Sequence, residues 1–400
     1  MQDDTWIVYA GRAHATTEPR RPYGVVNPPV YHASTVLYPT LEAFQQRSQG
    51  DAKYYAVRYG AYGVPTTFAL AEAIAQLEGG QGSVVTSSGL AAVTLAISAF
   101  VGQGDHLLMP DAVYGPTRDF CRTVLSRFGV ETTYYDPCLG ARIAEVMRPN
   151  TRVVFTESPG SLTFEVQDIP AIVAVAHAHQ ALVLLDNTWG TPLFFKPFQY
   201  DVDISIQAGT KYIAGHSDLV IGMITARTEA LFHQVKDTTM AFGDIPGPDD
   251  CYLALRGLRS MGVRLRQQQA AGLRVAQWLQ SRPEVKRVLY PPLPEDPGHH
   301  LWQRDFTGAC SLFGVVLKTS AAPAVAQMVE GYRYFKIGAS WGGYESLVIP
   351  AYPGEIRTAV PWTEPGFVLR YHVGLEAPED LIADLDEGFQ RLQHALTGSA

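Results

Sequence analysis

A lysine and an aspartate follow two strand-like segments and could together serve a reactive cofactor. Asp186 ends the apolar segment ALVLLD, and Lys211 follows DVDISIQ within the small-residue sequence AGTKYIAGHSD. Burial removes water from a lysine and lowers its pKa, so Lys211 is a candidate Schiff-base nucleophile and general base. Ligands of open α/β sheets bind beyond the carboxyl ends of strands, which predicts a site there. A surface lysine and a helix-capping aspartate are the ordinary alternatives.

The segment TSSGLAA, residues 86–92, joins a strand to a helix and could bind a phosphate. Ser88 is predicted to cap this helix, whose first backbone N–H groups would then point toward one ligand. Many helices begin this way, so the signal is weak alone. Together with a lysine and a carboxylate it matches pyridoxal phosphate, whose phosphate, aldehyde and ring nitrogen need these three groups. Tyr114 follows another strand-like segment and could stack on the ring, although a loop tyrosine fits equally well.

Alternating strands and helices are predicted to position these side chains. Helical patterns separate most of the strand-like segments, and the strands are largely apolar. Such alternation indicates an α/β fold with a mostly parallel sheet that helices cover on both faces. The predicted strands include His106–Met109, Arg152–Thr156, Ala181–Asp186, Ile204–Gln207 and Leu219–Thr225.

Length and local composition predict three parts. A chain of 400 residues exceeds the usual size of a single core. Residues 1–58, rich in Pro, Tyr and Thr, are predicted to form an extended arm that contacts another subunit. Residues 59–245 are predicted to form the cofactor-binding domain. Residues 246–400 are predicted to form a smaller α+β domain, with a long helix over Cys251–Arg282.

The overall composition favours a globular enzyme. Hydrophobic residues make up 46% of the chain and charged residues 18%, which argues against disorder. The net charge is −8 and no Lys/Arg cluster occurs, so nucleic acid and anionic membranes are poor partners. The cysteines show no CxxC pairing, and no stretch approaches the roughly 20 apolar residues of a membrane span. We therefore expect a cytoplasmic protein with no metal site, signal peptide or membrane span.

Several motifs resemble the Cys/Met metabolism PLP enzymes and, within them, the cystathionine β-lyase branch. These motifs are LDNTWG, IQAGTKYIAGHSD, RGLRSMGVRLRQ, SWGGYESL and LRYHVGLE. The resemblance implies the aspartate aminotransferase-like fold (fold type I) and pyridoxal 5′-phosphate as cofactor. It also implies α,β-elimination of L-cystathionine, or of a related cysteine S-conjugate, to homocysteine or another thiol, pyruvate and ammonia. The alternatives on the same scaffold are γ-elimination, γ-replacement and C–C bond formation.

The resemblance further implies a role for each residue at a matching position. Lys211 is expected to bond to the cofactor aldehyde and then to move protons, and Asp186 to pair with the ring nitrogen. Tyr114 is expected to stack on the ring and, with Tyr59, to complete the catalytic set. The residues expected at the phosphate are Ser88, Gly89, Leu90, Thr210 and a neighbouring subunit's Tyr59. The residues expected at the substrate carboxylate are Arg370, Ser340 and Trp341. A guanidinium suits that carboxylate because it binds through two parallel N–H groups, although a surface strand arginine is the alternative.

One position departs from the pattern of the family. Relatives carry a Tyr-x-Arg pair that reaches the cofactor phosphate of a neighbouring subunit, and here Ala61 occupies the arginine position after Tyr59. A charge-assisted hydrogen bond is worth about 1.5–3 kcal/mol, so its loss predicts weaker cofactor binding or an altered substrate choice. Arg58 is a candidate replacement, although adjacent strand residues point in opposite directions. The resemblance also implies a homo-oligomer, a dimer of dimers with active sites shared between subunits.

Overall fold

The computed structural model describes residues 2–11 and 26–398 of the chain. The helices are α1 (Asp3–Tyr9), α2 (Leu41–Gln46), α3 (Ala52–Tyr55), α4 (Pro65–Glu78), α5 (Gly89–Ser98), α6 (Gly115–Thr123), α7 (Ile169–Ala178), α8 (Thr191–Phe194), α9 (Glu229–Phe242), α10 (Pro248–Gln280), α11 (His299–Asp305), α12 (Ala322–Glu330), α13 (Pro353–Ile356) and α14 (Pro378–Thr397). Short 3-10 helices span Gly60–Tyr62, Leu125–Phe128, Gly140–Val146 and Pro197–Tyr200. The strands are β1 (Gly82–Thr86), β2 (His106–Pro110), β3 (Glu131–Tyr135), β4 (Thr151–Glu157), β5 (Leu182–Asp186), β6 (Ile204–Gln207), β7 (Gly222–Ala226), β8 (Val285–Leu289), β9 (Leu312–Leu317), β10 (Lys336–Ile337), β11 (Leu347–Ala351) and β12 (Val368–His372).

A seven-stranded sheet with the order β1-β7-β6-β5-β4-β2-β3 forms the centre of the molecule. The neighbours from β6 through β3 pair in parallel, whereas β7 is antiparallel to both β1 and β6. This arrangement confirms the predicted α/β fold with a mostly parallel sheet. The five predicted strand segments overlap β2, β4, β5, β6 and β7.

The strand β5 shows why this sheet requires helices on both faces. Val183 and Leu185 belong to one buried apolar cluster, and the intervening Leu184 belongs to a second cluster. Alternate side chains of a strand point to opposite faces, so both faces of β5 lie in a core. The strand is therefore apolar throughout, and its first polar side chain, Asp186, comes where the strand ends.

A second sheet of five strands has the order β10-β11-β12-β9-β8. Its strands are antiparallel apart from the parallel pair β10 and β11. The long helix α10 packs against β8 and against α14, as expected for the smaller α+β unit. The central strand β12 carries Arg370, which this sheet presents to the end of the larger one.

The amino-terminal segment differs from the predicted extended arm. Residues Asp3–Tyr9 are helical, and Ile7 is 2% exposed because α1 packs on α10 and α4. Arg259 donates to the carbonyl groups of Ile7 and Ala10, which fixes the end of α1. The extended conformation is therefore wrong for Asp3–Tyr9, whereas residues 12–25 lie outside the described residues. Within the described ranges, no helix is both long and apolar enough to cross a membrane.

Candidate active site

Lys211 lies in the turn after β6, and the loop between β10 and β11 of the smaller unit lies against it. Its Nζ donates a hydrogen bond of 2.6 Å to Ser340 Oγ and lies 5.3 Å from the centre of the Trp341 ring. Burial, together with the positive charge of Arg370, lowers the pKa of the Lys211 amine to about 8. Gly342 comes so close that a Cβ atom there would lie 2.8 Å from the Lys211 carbonyl carbon. A residue larger than glycine would therefore not fit at position 342, opposite the lysine.

Asp186 is joined to the segment that carries Lys211 through one threonine. Its Oδ1 accepts hydrogen bonds from the backbone N–H (3.0 Å) and the hydroxyl (2.5 Å) of Thr188. The same hydroxyl accepts from the backbone N–H of Ala208 at 2.9 Å. No hydrogen bond from the described residues reaches Asp186 Oδ2, and burial raises the pKa of this carboxyl group. A protonated ring nitrogen at Oδ2 would supply the missing opposite charge and lower that pKa.

Glu157, at the end of β4, is a second carboxyl group, partly buried, that the sequence interpretation misses. It pairs with Asp186 in the register of β4 and β5. Its Oε2 accepts the backbone N–H of Tyr114 at 2.8 Å, which places this tyrosine beside the strand ends. Burial and the neighbouring Asp186 raise the pKa of Glu157 well above its ordinary value. The signal was the one that identified Asp186, namely a carboxylate at the end of an apolar strand.

The amino terminus of α5 lies against the same segment. Ser88 Oγ accepts the backbone N–H of Ala91 at 3.0 Å, which confirms the predicted N-cap. A Cβ atom on Gly89 would lie 2.5 Å from Ala208 Cβ, so only glycine permits this approach. The Thr210 hydroxyl is held by the backbone of Ile221, from which it accepts at 2.9 Å and to which it donates at 3.2 Å.

The predicted phosphate-binding residues of this chain therefore lie on two adjoining segments. The first turn of α5, with its backbone N–H groups, faces an anion as a helix amino terminus does. Leu90 is 38% exposed, so this end of the helix is accessible. A helix start, a desolvated lysine and a carboxylate with a free oxygen are the groups that pyridoxal phosphate requires, and these residues fit that cofactor.

Arg370 projects from β12 toward Lys211, beside the segment that covers it. It donates to the carbonyl oxygen of Ser340 at 2.9 Å, and no described residue forms a salt bridge with it. Burial lowers the pKa of the Arg370 guanidinium to about 10, so it stays charged at neutral pH. Ser340 has φ +81°, a conformation that ordinary side chains rarely adopt. The structure thus brings Arg370, Ser340 and Trp341 together with Lys211, and leaves the guanidinium available for a carboxylate ligand.

Tyr59 lies apart from these residues within one chain. It is 45% exposed, and its hydroxyl group accepts a 3.3 Å hydrogen bond from Ser34. Tyr59 and Ala61 line a cavity of about 680 Å³. Arg58 instead donates to Ser48 Oγ at 2.8 Å and to the carbonyl oxygen of Lys53 at 2.7 Å, away from the Tyr59 hydroxyl. A contribution of Tyr59 to another subunit's site stays a prediction.

The lowered pKa of Lys211 predicts that the cofactor-free protein reacts with pyridoxal phosphate at a rate that depends on pH. The amine must be neutral to react with an aldehyde, and its pKa is about 8. The rate of reconstitution with pyridoxal phosphate should therefore rise with pH and level off above about pH 8, falling about tenfold per unit below it. Stopped-flow absorbance measures this rate. Arg370→Ala removes a positive charge that disfavours the protonated amine, so its midpoint should move to higher pH; an unchanged midpoint would contradict the coupling.

Comparisons with known proteins agree with this arrangement. A family model described as Cys/Met metabolism PLP-dependent enzyme matches residues 10–390. The cystathionine beta-lyase of Salmonella typhimurium is 43% identical over 397 residues, which cover 98% of this chain and 99% of that protein. The cystathionine beta-lyase of Escherichia coli is 42% identical over 395 residues, which cover 97% and 98%.

A solved structure shares the fold along the whole length. Cystathionine gamma synthase from Xanthomonas oryzae pv. oryzae, in complex with cystathionine, superposes with a TM-score of 0.87 at 31% identity. The match covers 98% of this chain and 99% of that one. The similarity therefore extends over both sheets.

Proposed function

The chain belongs to the Cys/Met metabolism PLP-dependent enzymes, and we propose that it is a carbon–sulfur lyase acting on L-cystathionine or related cysteine S-conjugates. The observation that carries this proposal is that the Lys211 amine lies near enough to the guanidinium of Arg370 and the carboxyl group of Asp186 for both charges to act on its pKa, with Ser340 bonded to both Lys211 and Arg370. We assign the amine of Lys211 the role of proton acceptor, Asp186 that of ring-nitrogen partner and Arg370 that of carboxylate-binding group. The relatives named as beta-lyases support β-elimination as the reaction.

The side chains of the site divide the work as follows. Arg370 binds the substrate carboxylate through its guanidinium, and Ser340 holds that guanidinium and the Lys211 amine in place. Lys211, when neutral, accepts the proton from the substrate Cα and can return a proton to the departing sulfur. Asp186 holds a proton on the ring nitrogen. Pyridoxal phosphate, when bound, supplies the electron-accepting ring.

The net reaction consumes one water molecule and no redox partner. Loss of the Cα proton and cleavage of the Cβ–S bond release a thiol, which is homocysteine when the substrate is L-cystathionine. The remaining three-carbon fragment takes up water and yields pyruvate and ammonia. Trp341, beside the amine, and the Tyr114 turn flank the place where this chemistry would occur.

The position of the sulfur in the substrate tests this proposal. S-Methyl-L-cysteine carries sulfur on Cβ, whereas S-methyl-L-homocysteine carries it on Cγ. We expect thiol release from the cysteine derivative only, because proton removal at Cα expels a group from Cβ. A thiol assay with both compounds measures this directly. Faster release from the homocysteine derivative would contradict β-elimination and favour the γ-chemistry of the structural relative.

Replacement of Arg370 should separate substrate binding from chemistry. Arg370→Ala leaves a buried carboxylate without its partner, which costs about 2–5 kcal/mol for a buried charge pair. We expect the KM for the amino acid to rise by about 30-fold or more, at roughly 1.4 kcal/mol per factor of ten. Steady-state kinetics measures the change. As a control, Arg333→Ala removes an exposed pair with Glu387 and should leave KM unchanged.

We also propose a cytoplasmic homotetramer in which Tyr59 completes a neighbouring active site. The exposed ring of Tyr59 and the cavity beside Ala61 support a contact with another subunit. The described cysteines are all free, which fits a reducing compartment. Tyr59→Phe should weaken cofactor retention in the assembled protein. If a monomer retained full activity, this shared-site proposal would be wrong.

A further inference from the structure

Asp111 is a fully buried carboxylate that the chemistry described above does not use. It follows β2, three residues before Tyr114, and its side chain is 0% exposed. Its oxygens accept the backbone N–H groups of three consecutive residues, Thr358 (3.0 Å), Ala359 (2.9 Å) and Val360 (2.8 Å). Successive N–H groups directed at one point form an anion-binding concavity. Here the anion is the Asp111 carboxylate, which follows a strand of the larger sheet. The N–H groups of Thr358, Ala359 and Val360 belong to the smaller unit.

Arg118, four residues after Tyr114, binds the same carboxylate group. It forms a short ion pair with Asp111 Oδ1, and its guanidinium stacks 3.6 Å from the centre of the Tyr134 ring. It also donates to Thr358 Oγ1 at 3.1 Å. The backbone N–H of Arg118 donates to the carbonyl oxygen of Tyr114 at 3.2 Å. Asp111 and Arg118 therefore enclose the turn that carries Tyr114.

The segment held by Asp111 leads into the strand of Arg370. It belongs to the connection between β11 and β12, and a second ion pair joins its Arg357 to Glu165 of the larger unit. Farther along, Glu364 forms a 2.5 Å ion pair with Lys286 of β8. Residues 357–360 of the connection therefore contact the larger unit, and Glu364 contacts β8 of the smaller sheet, before β12 begins.

We propose that Asp111 is a positioning residue, which holds the substrate-carboxylate strand of Arg370 in place relative to the ring-stacking Tyr114. The inference rests on the proposed function, because it assigns Arg370 and Tyr114 their roles. A carboxylate is required, since three N–H donors and a guanidinium converge on it. Burial alone would raise the pKa of Asp111, but the hydrogen bonds from Thr358, Val360, Arg118 and Ala359 together outweigh it and lower that pKa. The group therefore remains charged at neutral pH.

The chain contains a matched control for this residue. Asp384 is 3% exposed and accepts the backbone N–H groups of Arg333 and Tyr334, each at 2.8 Å. All three residues lie in the smaller unit, so the hydrogen bonds of Asp384 stay within that unit. The hydrogen bonds of Asp111, in contrast, connect the larger unit with the smaller one. Asp384→Asn and Asp111→Asn each place one amide against backbone N–H donors.

The test compares the two variants as cofactor-loaded full chains. A spectral titration with glycine, which has no leaving group, measures carboxylate binding independently of lyase activity. For Asp111→Asn we expect glycine affinity to fall at least about tenfold, because the guanidinium of Arg370 would lose its fixed position; a misplacement of about 1 Å in an active site costs on the order of 10²-fold in rate. The cofactor absorbance should persist, and hydrogen exchange should increase in the peptide covering 357–367. For Asp384→Asn, glycine affinity should stay within about twofold, as for independent sites.

A milder variant covers the case in which Asp111→Asn does not fold. Thr358→Val removes only the hydroxyl contacts to Asp111 and Arg118, and glycine affinity should then fall by a few-fold in the same direction. Unchanged glycine affinity and unchanged hydrogen exchange in both Asp111→Asn and Thr358→Val would overturn the inference, as would an equal loss of glycine affinity in Asp384→Asn. If the unsubstituted protein failed to bind glycine, the proposed function would fail instead, and the exchange measurement would still decide whether Asp111 holds residues 358–360.

Discussion

Lys211→Ala is expected to abolish turnover and to remove the visible absorbance of the bound cofactor. Lys211 is the buried amine beside Asp186 and Arg370, with a pKa of about 8. Loss of a positioned proton-transfer group alone costs about 10²–10⁴-fold in rate, and the covalent attachment is lost as well. An absorbance spectrum of the purified variant, with a thiol-release assay, measures both effects.

Lys236→Ala is a closely matched control for that substitution. Lys236 is also a largely buried lysine, and burial and Arg58 lower its pKa to about 8. Its Nζ donates to the carbonyl oxygen of Tyr62 at 3.1 Å. Because Lys236 does not lie beside Asp186 and Arg370, Lys236→Ala should leave the absorbance spectrum of the bound cofactor unchanged. The assignment of Lys211 fails if Lys211→Ala retains the spectrum or if Lys236→Ala loses it.

Asp186→Asn is expected to lower kcat by at least about 10²-fold, as for removal of one charge-stabilising group at a reacting centre. An asparagine keeps the size of the side chain and can retain the hydrogen bonds from Thr188. It cannot hold a proton on a ring nitrogen through charge. The variant should therefore bind cofactor and still turn over slowly, which steady-state kinetics on the loaded protein would show.

Asp203→Asn distinguishes this effect from simple damage to the sheet. Asp203 is 1% exposed, precedes β6, and accepts the backbone N–H of Val183 at 2.9 Å and a hydrogen bond of 2.7 Å from Arg227. It lies at the strand end away from Lys211. Asp203→Asn should lower the melting temperature without changing kcat per folded molecule. A kcat for Asp186→Asn equal to that of the unsubstituted protein would refute the role of Asp186.

Much of the larger sheet is predictable from the sequence, because its strands are apolar on both faces. In β5, Val183, Leu184 and Leu185 are buried between helices, and the polar residue that ends the run, Asp186, marks the edge where ligands bind. The sequence interpretation misses β3 in the larger sheet and β8, β10 and β11 in the smaller one. β3 (ETTYY) lies at the sheet edge and carries polar, partly exposed side chains, so its pattern is not that of a buried strand.

The contacts between the two units could not be predicted from local patterns. Ser340 lies 129 residues from Lys211, and its φ of +81° is a conformation that a serine rarely adopts and that its local sequence does not indicate. Asp111 and Val360 are 249 residues apart, and neither belongs to a motif. Glu157 carried a readable signal, since it ends a strand beside Asp186, but its contact with Tyr114 depends on the sheet order.

The measurement that tests the proposed function most directly is the identification of the keto acid formed from L-cystathionine. Purified, cofactor-loaded protein should release pyruvate and homocysteine in equal amounts, and Lys211→Ala should release neither. This result follows if Lys211 removes the Cα proton and sulfur leaves from Cβ. Formation of 2-oxobutyrate and cysteine in their place would contradict β-elimination and assign the chain to the γ-class.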